Sequence, residues 1–344
     1  MNFVFTLLLL NIPKAFLFRY YEGYCDFSRF LFVNGAEKIL LLSREPRRVK
    51  KVLTKIAENA TRTLLIFDEV HGAGAMEFRE VVGGLLGVYP YRLGLSATPI
   101  REFDAEGTQF LENEIGPVIF QFNLAEAIRR GILCHFYYIP LYYTLTVREK
   151  RKKQSIISVY EKKRKNGDIF LEEEMYRKLA RVNKLAENKL LLFDEYLKEH
   201  PEILKNCIIF VETREYGLEV QKILLKYMYK FHTYYGDDDK INLIKFAKEK
   251  MDCLITCRKI SEGINIHSVR NIVLFSSDRS RLTTIQRIGR SLRRGNNDEK
   301  EATVIDFVYS PENQKEGDIT ADQEREKWLT DLSKIREEGW NDKL

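Results

Sequence analysis

Short apolar runs alternate along this chain with charged stretches whose apolar positions recur at three- and four-residue spacing. From Lys38 to Pro99 the order is KILLLS, REPRRVKKVLTKIAENA, TLLIFDEV, EFREVVGGLLGVYP and YRLGLSATP. Unbroken apolar runs suit strands buried on both faces, and the amphipathic stretches suit helices. The order therefore predicts β-α-β-α-β, a parallel sheet covered by helices. The segment NLAEAIRRGILCHFYYIPLYYTLT should lead out of this unit through a short helix and two extended pieces. From Val147 to about Lys205 the chain is rich in Lys, Arg and Glu at helical spacing, with Pro201 as the stop, and reads as a helical connector. A second alternation follows, from NCIIFVET through REYGLEVQKILLKYM, FHTYYG, DDDKINLIKFAKEK, DCLITCR, NIVLFSS and LTTIQRIGRSLRRG to EATVIDFVY. The expected organisation is an α/β unit over 1–144, a connector over 145–204, a second α/β unit over 205–318, and a charged tail over 319–344 in which Trp328 and Trp340 are candidate docking points.

At 344 residues, 44% hydrophobic and 31% charged, the chain can bury two cores, and disorder is not the default. The net charge of +6 fits a polyanionic partner without demanding one. Five cysteines, an odd number scattered through a long chain, argue for a reducing compartment. Cys253 and Cys257 flank the LIT of an expected strand with no second pair at metal-site spacing, so buried thiols are the simpler reading than zinc. The opening MNFVFTLLLLNIPKAFLF has no basic leader or small-residue cleavage site, and Pro13 and Lys14 cut it short of a membrane span. A cytoplasmic protein is expected.

In LLIFDEVHGAG, Leu64 to Gly74, the acidic pair falls at the carboxyl end of an expected strand, where ligand sites of open α/β sheets lie. Most Asp-Glu pairs are solvated turns. The chemical alternative is nucleotide hydrolysis, with Asp68 holding Mg²⁺ through water, Glu69 orienting and deprotonating the attacking water, and His71 as a polar link. The next strand ends in Ser96, Ala97, Thr98 and Pro99, small groups able to hydrogen-bond back to the carboxylates, or else a plain turn. In QRIGRSLRR, Gln286, Arg290 and Arg293 share a helix face, and arginine suits the spread charge of a transferring phosphoryl group. Between these blocks TCRKISEGINI ends a strand in a turn containing Ser261, Glu262 and Gly263.

In this order the blocks resemble those of superfamily 2 helicases and translocases, DEAD/DEAH-type in the broad sense. LLIFDEVH resembles motif II, LGLSATP motif III, CIIFVETREYGLEV motif IV, ITCRKISEGINI motif V and IQRIGRSLRR motif VI. SEGINI and the ARVNKLAENKL helix look closest to the DNA-repair and restriction-like branch that includes the xeroderma pigmentosum B helicase. The resemblance implies two RecA-like domains, the first incomplete at its amino end, with ATP and Mg²⁺ between them. It makes Asp68 the metal ligand, Glu69 the base, and Arg290 and Arg293, beside Gln286, the arginine fingers. It makes Ser96, Ala97 and Thr98 coupling residues, and Thr213, Ser261, Glu262 and Gly263 contacts to nucleotide or nucleic acid. DNA is the implied partner ahead of RNA, held by its phosphates. REPRRVKK and REKRKKQ are candidate phosphate contacts, although each taken alone reads as a solvated helix face.

The pattern also breaks. No G-x-x-x-x-G-K-[ST] loop occurs, no Gly is followed by Lys anywhere, and NGAEK at Asn34 to Lys38 imitates the loop poorly. Asn265 and His267 stand where the family often has Asp and Pro. Three readings stay open: the carboxyl-terminal part of a translocase whose phosphate-loop segment is encoded separately or missing from this sequence, a remnant that binds nucleic acid or a partner protein without turnover, or an unrelated two-domain α/β binding protein with coincidental matches.

Overall fold

The computed structural model describes residues 15–33, 37–96, 104–168, 171–235, 238–239, 241–257, 268–276, 281–294, 300–312 and 319–336. The chain divides into two compact units between Gln121 and Phe122. Among the described residues no helix is long and apolar enough to cross a membrane.

The first unit runs β1 (Phe16–Tyr20), α1 (Phe27–Phe32), β2 (Lys38–Leu42), α2 (Pro46–Ile56), β3 (Leu64–Asp68), α3 (Met76–Val82), β4 (Tyr91–Leu95) and α4 (Ala105–Glu114). Helix α2 starts where the sequence says it should. Pro46 occupies the first turn, and the Glu45 carboxylate caps it by accepting the Arg47 N–H at 3.1 Å. Val49, Val52, Leu53 and Ile56 then fall on one buried face. They join Phe78, Val82, Leu86 and Tyr89 in the core of this unit. The strands form two parallel pairs, β1 with β2 and β3 with β4, and Asp68 stands opposite Leu95 in the second.

One expectation changes here. β3 is not buried on both faces: its residues are half-buried and Leu64 is 56% exposed. Among the described residues β3 has a single hydrogen-bonded neighbour, β4, so burial stops short of what its apolar run would tolerate.

The second unit contains α5 (Leu124–Arg129), β5 (Phe136–Tyr143), α6 (Val147–Lys165), α7 (Glu172–Lys184), α8 (Asn188–Glu199), β6 (Cys207–Phe210), α9 (Arg214–Leu224), β7 (Phe231–Tyr234), α10 (Ile241–Ala247), β8 (Cys253–Thr256), β9 (Asn271–Leu274), α11 (Arg281–Ser291), β10 (Ala302–Tyr309) and α12 (Ala321–Ser333). Among the described residues its six strands run in the order β5-β10-β9-β6-β8-β7, all parallel. All four residues of β6 are buried, because helices cover both faces. Ile208 and Phe210 meet apolar residues of α5, α10, α11 and α12, while Cys207 and Ile209 meet those of α7, α8 and α9. Cys207 and Cys253 are buried cross-strand neighbours, and no metal-holding group of His, Cys, Asp and Glu occurs among the described residues.

Three boundaries differ from the sequence reading. First, Phe136–Tyr143 is one strand, not two pieces. It pairs with β10 from Phe136↔Ala302 to Tyr143↔Tyr309 and so belongs to the second sheet, not to a unit ending at 144. Pro140 is accommodated because β5 is an edge strand, where a missing N–H need not break a ladder. Second, the helices expected as a connector over 145–204 form a layer of this unit, with Val182, Ala186, Phe193 and Leu197 in its core. Third, the charged tail contains α12, whose Leu329 and Leu332 are buried against the sheet and whose Trp328 packs beside them. Trp340 lies outside the described residues.

Two buried lysines hold this architecture to a pH window. Lys189 of α8 donates to the Phe275 carbonyl at 2.9 Å and lies 4.6 Å from the Tyr143 ring centroid. Lys300 closes the carboxyl end of α11 by donating to the carbonyls of Ser291 at 2.6 Å and Arg293 at 2.9 Å. Burial pushes each ammonium down to about 8. At these two lysines the unfolded chain therefore binds more protons than the folded one between about pH 8 and the ordinary lysine value. The lysines' contribution to stability is expected to rise with pH through that interval, while the Cys134 and Cys207 thiols, pushed up by burial, contribute in the opposite direction as unfolded thiols ionise. Thermal melts from pH 7 to 9.5 should therefore be read as a difference: the wild-type midpoint should gain on that of Lys189→Met, which carries the same thiols, as pH rises. Equal slopes in the two proteins would remove Lys189 from the account.

Candidate functional site

The acidic pair of the first unit sits where parallel strands end. Asp68 closes β3, and Glu69 turns the chain sharply in the left-handed region at φ 49° and ψ 51°. For a residue with a Cβ this conformation is unfavourable, so something must hold it. The Glu69 carbonyl accepts the Gly72 N–H at 3.0 Å and the Arg44 guanidinium at 2.7 Å. The approach is close: a Cβ at Gly72 would fall 2.2 Å from the Arg44 guanidinium carbon and would push that side chain aside. Arg44 follows β2, so the carboxyl ends of β2 and β3 are tied together.

The same turn orients the side chains. The Glu69 N–H donates to Asp68 Oδ1 at 3.1 Å. His71 Nδ1 lies 3.3 Å from Glu69 Oε2 and 3.1 Å from Ser96 Oγ. Because Asp68 pairs with Leu95, Ser96 leaves its strand level with Glu69, which is why these three side chains meet. Val70 and Ala73, both buried, anchor the turn between them. Asp68, Glu69, His71 and Ser96, singled out in the sequence, are thus brought into one cluster. Ala97 and Thr98 lie outside the described residues.

This cluster has the chemistry of a divalent-cation edge. Mg²⁺ is usually held by one or two carboxylates and completed by water and phosphate oxygens, a role one carboxylate at a strand end can fill. Asp68 fits it: Oδ1 is engaged by the turn, and Oδ2 has no hydrogen-bond partner among the described residues. The phosphates of a nucleotide are a different matter, because no segment of the sequence supplies a Gly-Lys-Ser/Thr amide cradle.

The second unit presents its own strand ends. Glu212 follows β6 and accepts the Ser276 hydroxyl, beyond β9, at 2.6 Å. Lys184 Nζ lies 3.5 Å from the same carboxylate oxygen. Thr213 caps α9, its hydroxyl accepting the Tyr216 N–H at 3.2 Å, so the structure gives this residue a helix-capping role. Gln286 and Arg290 lie on α11, and Arg293 is exposed just beyond it. Ser261, Glu262 and Gly263, with Asn265 and His267, lie outside the described residues.

Sequence reasoning did not single out Arg44 or Arg287. Arg287 is buried on α11, donates to the Ser276 carbonyl, and stands over the Phe210 ring at 4.9 Å from its centroid. It fastens the helix bearing Gln286 and Arg290 to the ends of β6 and β9. Its position beside Gln286 hides this, since a buried and an exposed arginine look alike in a basic run. Arg44 was read only as part of REPRRVKK, a candidate phosphate contact, and its bond to a main-chain carbonyl left no signal.

Residues 188–295 match the family described as Helicase conserved C-terminal domain. The chain is 27% identical over 284 residues to "Putative helicase 22" of Sulfolobus islandicus filamentous virus, covering 78% of this chain and 46% of that protein. It is 28% identical over 267 residues to the DNA 3'-5' translocase XPB2 of Sulfurisphaera tokodaii, covering 71% of this chain and 58% of that one. The chain thus spans about half the length of the curated relatives it matches. Among solved structures, the Pyrococcus furiosus Hef helicase domain is 15% identical with a TM-score of 0.48, covering 92% of this chain and 82% of its own. S. cerevisiae Dbp5 bound to RNA and ADP BeF3 is 14% identical with a TM-score of 0.45, covering 94% and 69%.

Proposed function

We propose that this chain, with its helicase conserved C-terminal domain and the motif order of superfamily 2 helicases, works in an ATP-dependent helicase or translocase that moves along DNA. The observation that carries the reading is the strained Glu69 turn, held by Arg44 and flanked by Asp68, His71 and Ser96 at converging strand ends. Backbone strain held in place by surrounding contacts clusters at active sites, and this turn supports the reading in that way.

In this reading Asp68 is the protein ligand of Mg²⁺, which when bound neutralises phosphate charge. Glu69 orients a water and takes its proton, and His71 passes the state of that carboxylate to Ser96, with Ala97 and Thr98 as the further coupling residues. Gln286, Arg290 and Arg293 supply polar and cationic groups for the phosphoryl charge. Ser261, Glu262 and Gly263 contact nucleic acid or nucleotide, and Thr213 does so through its helix end. The phosphate grip would come from a separately encoded segment with a Gly-Lys-Ser/Thr loop, acting as a partner. DNA is favoured as substrate because the XPB2 relative is described as a DNA translocase.

A second reading, nucleic-acid binding without turnover, is favoured by the missing loop in the sequence. Phosphate release from MgATP, measured with and without single-stranded DNA, separates the two. DNA-stimulated release is expected under the first reading, with the chain alone or with a phosphate-loop segment added. DNA affinity is expected to drop steeply with salt, by orders of magnitude between about 50 and 200 mM if several phosphates are contacted. Absence of stimulated release in both formats would leave the binding reading, and a flat salt response would reject phosphate contacts.

A further inference from the structure

At the carboxyl end of β1 the chain makes a tight turn, Tyr21-Glu22-Gly23-Tyr24, closed by the Tyr24 N–H donating to the Tyr21 carbonyl at 2.8 Å. Its two central residues both have positive φ, 38° at Glu22 and 87° at Gly23. Gly23 is there for that backbone shape and not for space, since a Cβ would meet nothing within 4 Å. The loop is clamped from below: the Asp26 N–H donates to the Arg19 carbonyl at 2.9 Å, and the Arg19 N–H donates to the Asp26 carboxylate at 3.2 Å. The turn therefore holds Tyr21 and Tyr24 side by side, with ring centroids 5.3 Å apart.

The surroundings are cationic. The Arg19 guanidinium stands 5.3 Å from the Tyr24 centroid, and Arg48 and Lys51 stand 5.1 and 5.8 Å from that of Tyr20. Tyr20 is a packing residue, stacked on the buried Phe27 at 5.3 Å. Tyr24 is different: it is 48% exposed, a large aromatic surface left in water beside a guanidinium. Of the acidic groups here, Asp26 is committed to the turn and to Arg29, and Glu22 sits at the tip.

Aromatic rings interleaved with cations are the combination that holds an unpaired nucleic-acid strand, rings stacking on bases while cations meet phosphates. We infer that the Tyr21–Tyr24 turn, with Arg19, Arg48 and Lys51, is a base-stacking platform for single-stranded nucleic acid. It lies at the strand-end rim that carries Glu69, since Tyr20 is level with Leu42 and Arg44 ties the end of β2 to the Glu69 turn. A strand seated there is gripped by a base as well as by its backbone, and that base marks each step along the strand. The inference rests on the proposed reading that nucleic acid is the partner, and it adds a mode of contact which that reading does not require.

The test compares binding of the full chain to a thymidine oligonucleotide with binding to an abasic strand of equal length, by fluorescence anisotropy, both strands being measured at each of several salt concentrations. The normal strand should bind about tenfold more tightly, the size of one base–aromatic stack. Tyr24→Leu should abolish this preference while leaving the abasic affinity and the salt dependence unchanged. Tyr24→Phe should restore it, because the ring and not the hydroxyl does the stacking. Tyr229→Leu, at an 85% exposed tyrosine of the second unit, should behave as wild type. Equal affinity for the two strands, or a preference that survives Tyr24→Leu, would overturn the platform while leaving salt-sensitive phosphate binding intact. Binding to neither strand would overturn both the platform and the nucleic-acid reading.

Discussion

Replacing Arg325 by methionine is expected to destabilise the second unit by about 3–5 kcal/mol, the range found when one member of a buried ion pair is removed. Arg325 of α12 is 6% exposed, and Asp306 of β10 is fully buried. The guanidinium grips that carboxylate through Nε at 2.8 Å and Nη2 at 3.1 Å, and reaches Asp322 through Nη1 at 3.0 Å. The Tyr138 hydroxyl of β5 donates to the same Asp306 carboxylate at 3.1 Å. One network therefore joins α12, β10 and the edge strand, and the two acidic groups hold the guanidinium well above its usual range despite its burial. Without the arginine, Asp306 is a buried carboxylate that has lost its cationic partner.

The consequence is specific. Urea unfolding followed by the fluorescence of Trp328, which sits on α12 itself, should show the midpoint falling sharply in Arg325→Met. Pairing it with Asp306→Leu should recover part of the loss, because the buried pair is then gone; the Tyr138 hydroxyl loses Asp306 and the Asp322 carboxylate loses the guanidinium, penalties of about 1–3 kcal/mol each. Equal destabilisation by the single and double variants would show that apolar packing, not the ion pair, seats α12.

The second large effect concerns Glu69. Glu69→Gln preserves shape and most hydrogen bonding but cannot take a proton, so nucleotide turnover should fall by about 10²–10⁴-fold, the usual contribution of a general base. DNA affinity should not change. A companion variant separates chemistry from strain: Glu69→Gly relieves the left-handed backbone and should raise stability by about 1 kcal/mol while abolishing turnover. Turnover in Glu69→Gln within a few-fold of wild type would remove Glu69 from the role proposed for it. A destabilised Glu69→Gly would show instead that the carboxylate holds the turn together.

Much of the candidate site was legible because its signals are contiguous. Four apolar residues running into Asp68 and Glu69 announce a strand with acids at its end, and the 3.6-residue spacing of Val49, Val52, Leu53 and Ile56 announces α2. Gln286 and Arg290 were readable as one helical block for the same reason, whereas Arg293, expected on the same helix face, lies past the end of α11 in a bridge to Leu133. The burial of β3 was overestimated because an apolar run reports what a strand can tolerate, not how many neighbours it has. The boundary near 144 was misplaced because β5 carries no mark of its partner: β10 lies more than a hundred residues onward, as the Tyr138–Asp306 bond across 168 positions illustrates.

The sequence by itself determined the alternation of strands and helices, the parallel α/β class, and the positions of the acidic pair and the arginine helix. Each of these is encoded by residues within a few positions of one another, through side-chain periodicity, caps and turn chemistry. Only the tertiary structure decided which sheet took β5, that the helices over 147–199 form a layer and not a tether, that Arg325 seats α12, and that Arg44, 25 residues away, holds Glu69 in its strained turn. These depend on long-range packing and on hydrogen bonds to main-chain carbonyls, which leave no pattern in the residues that make them.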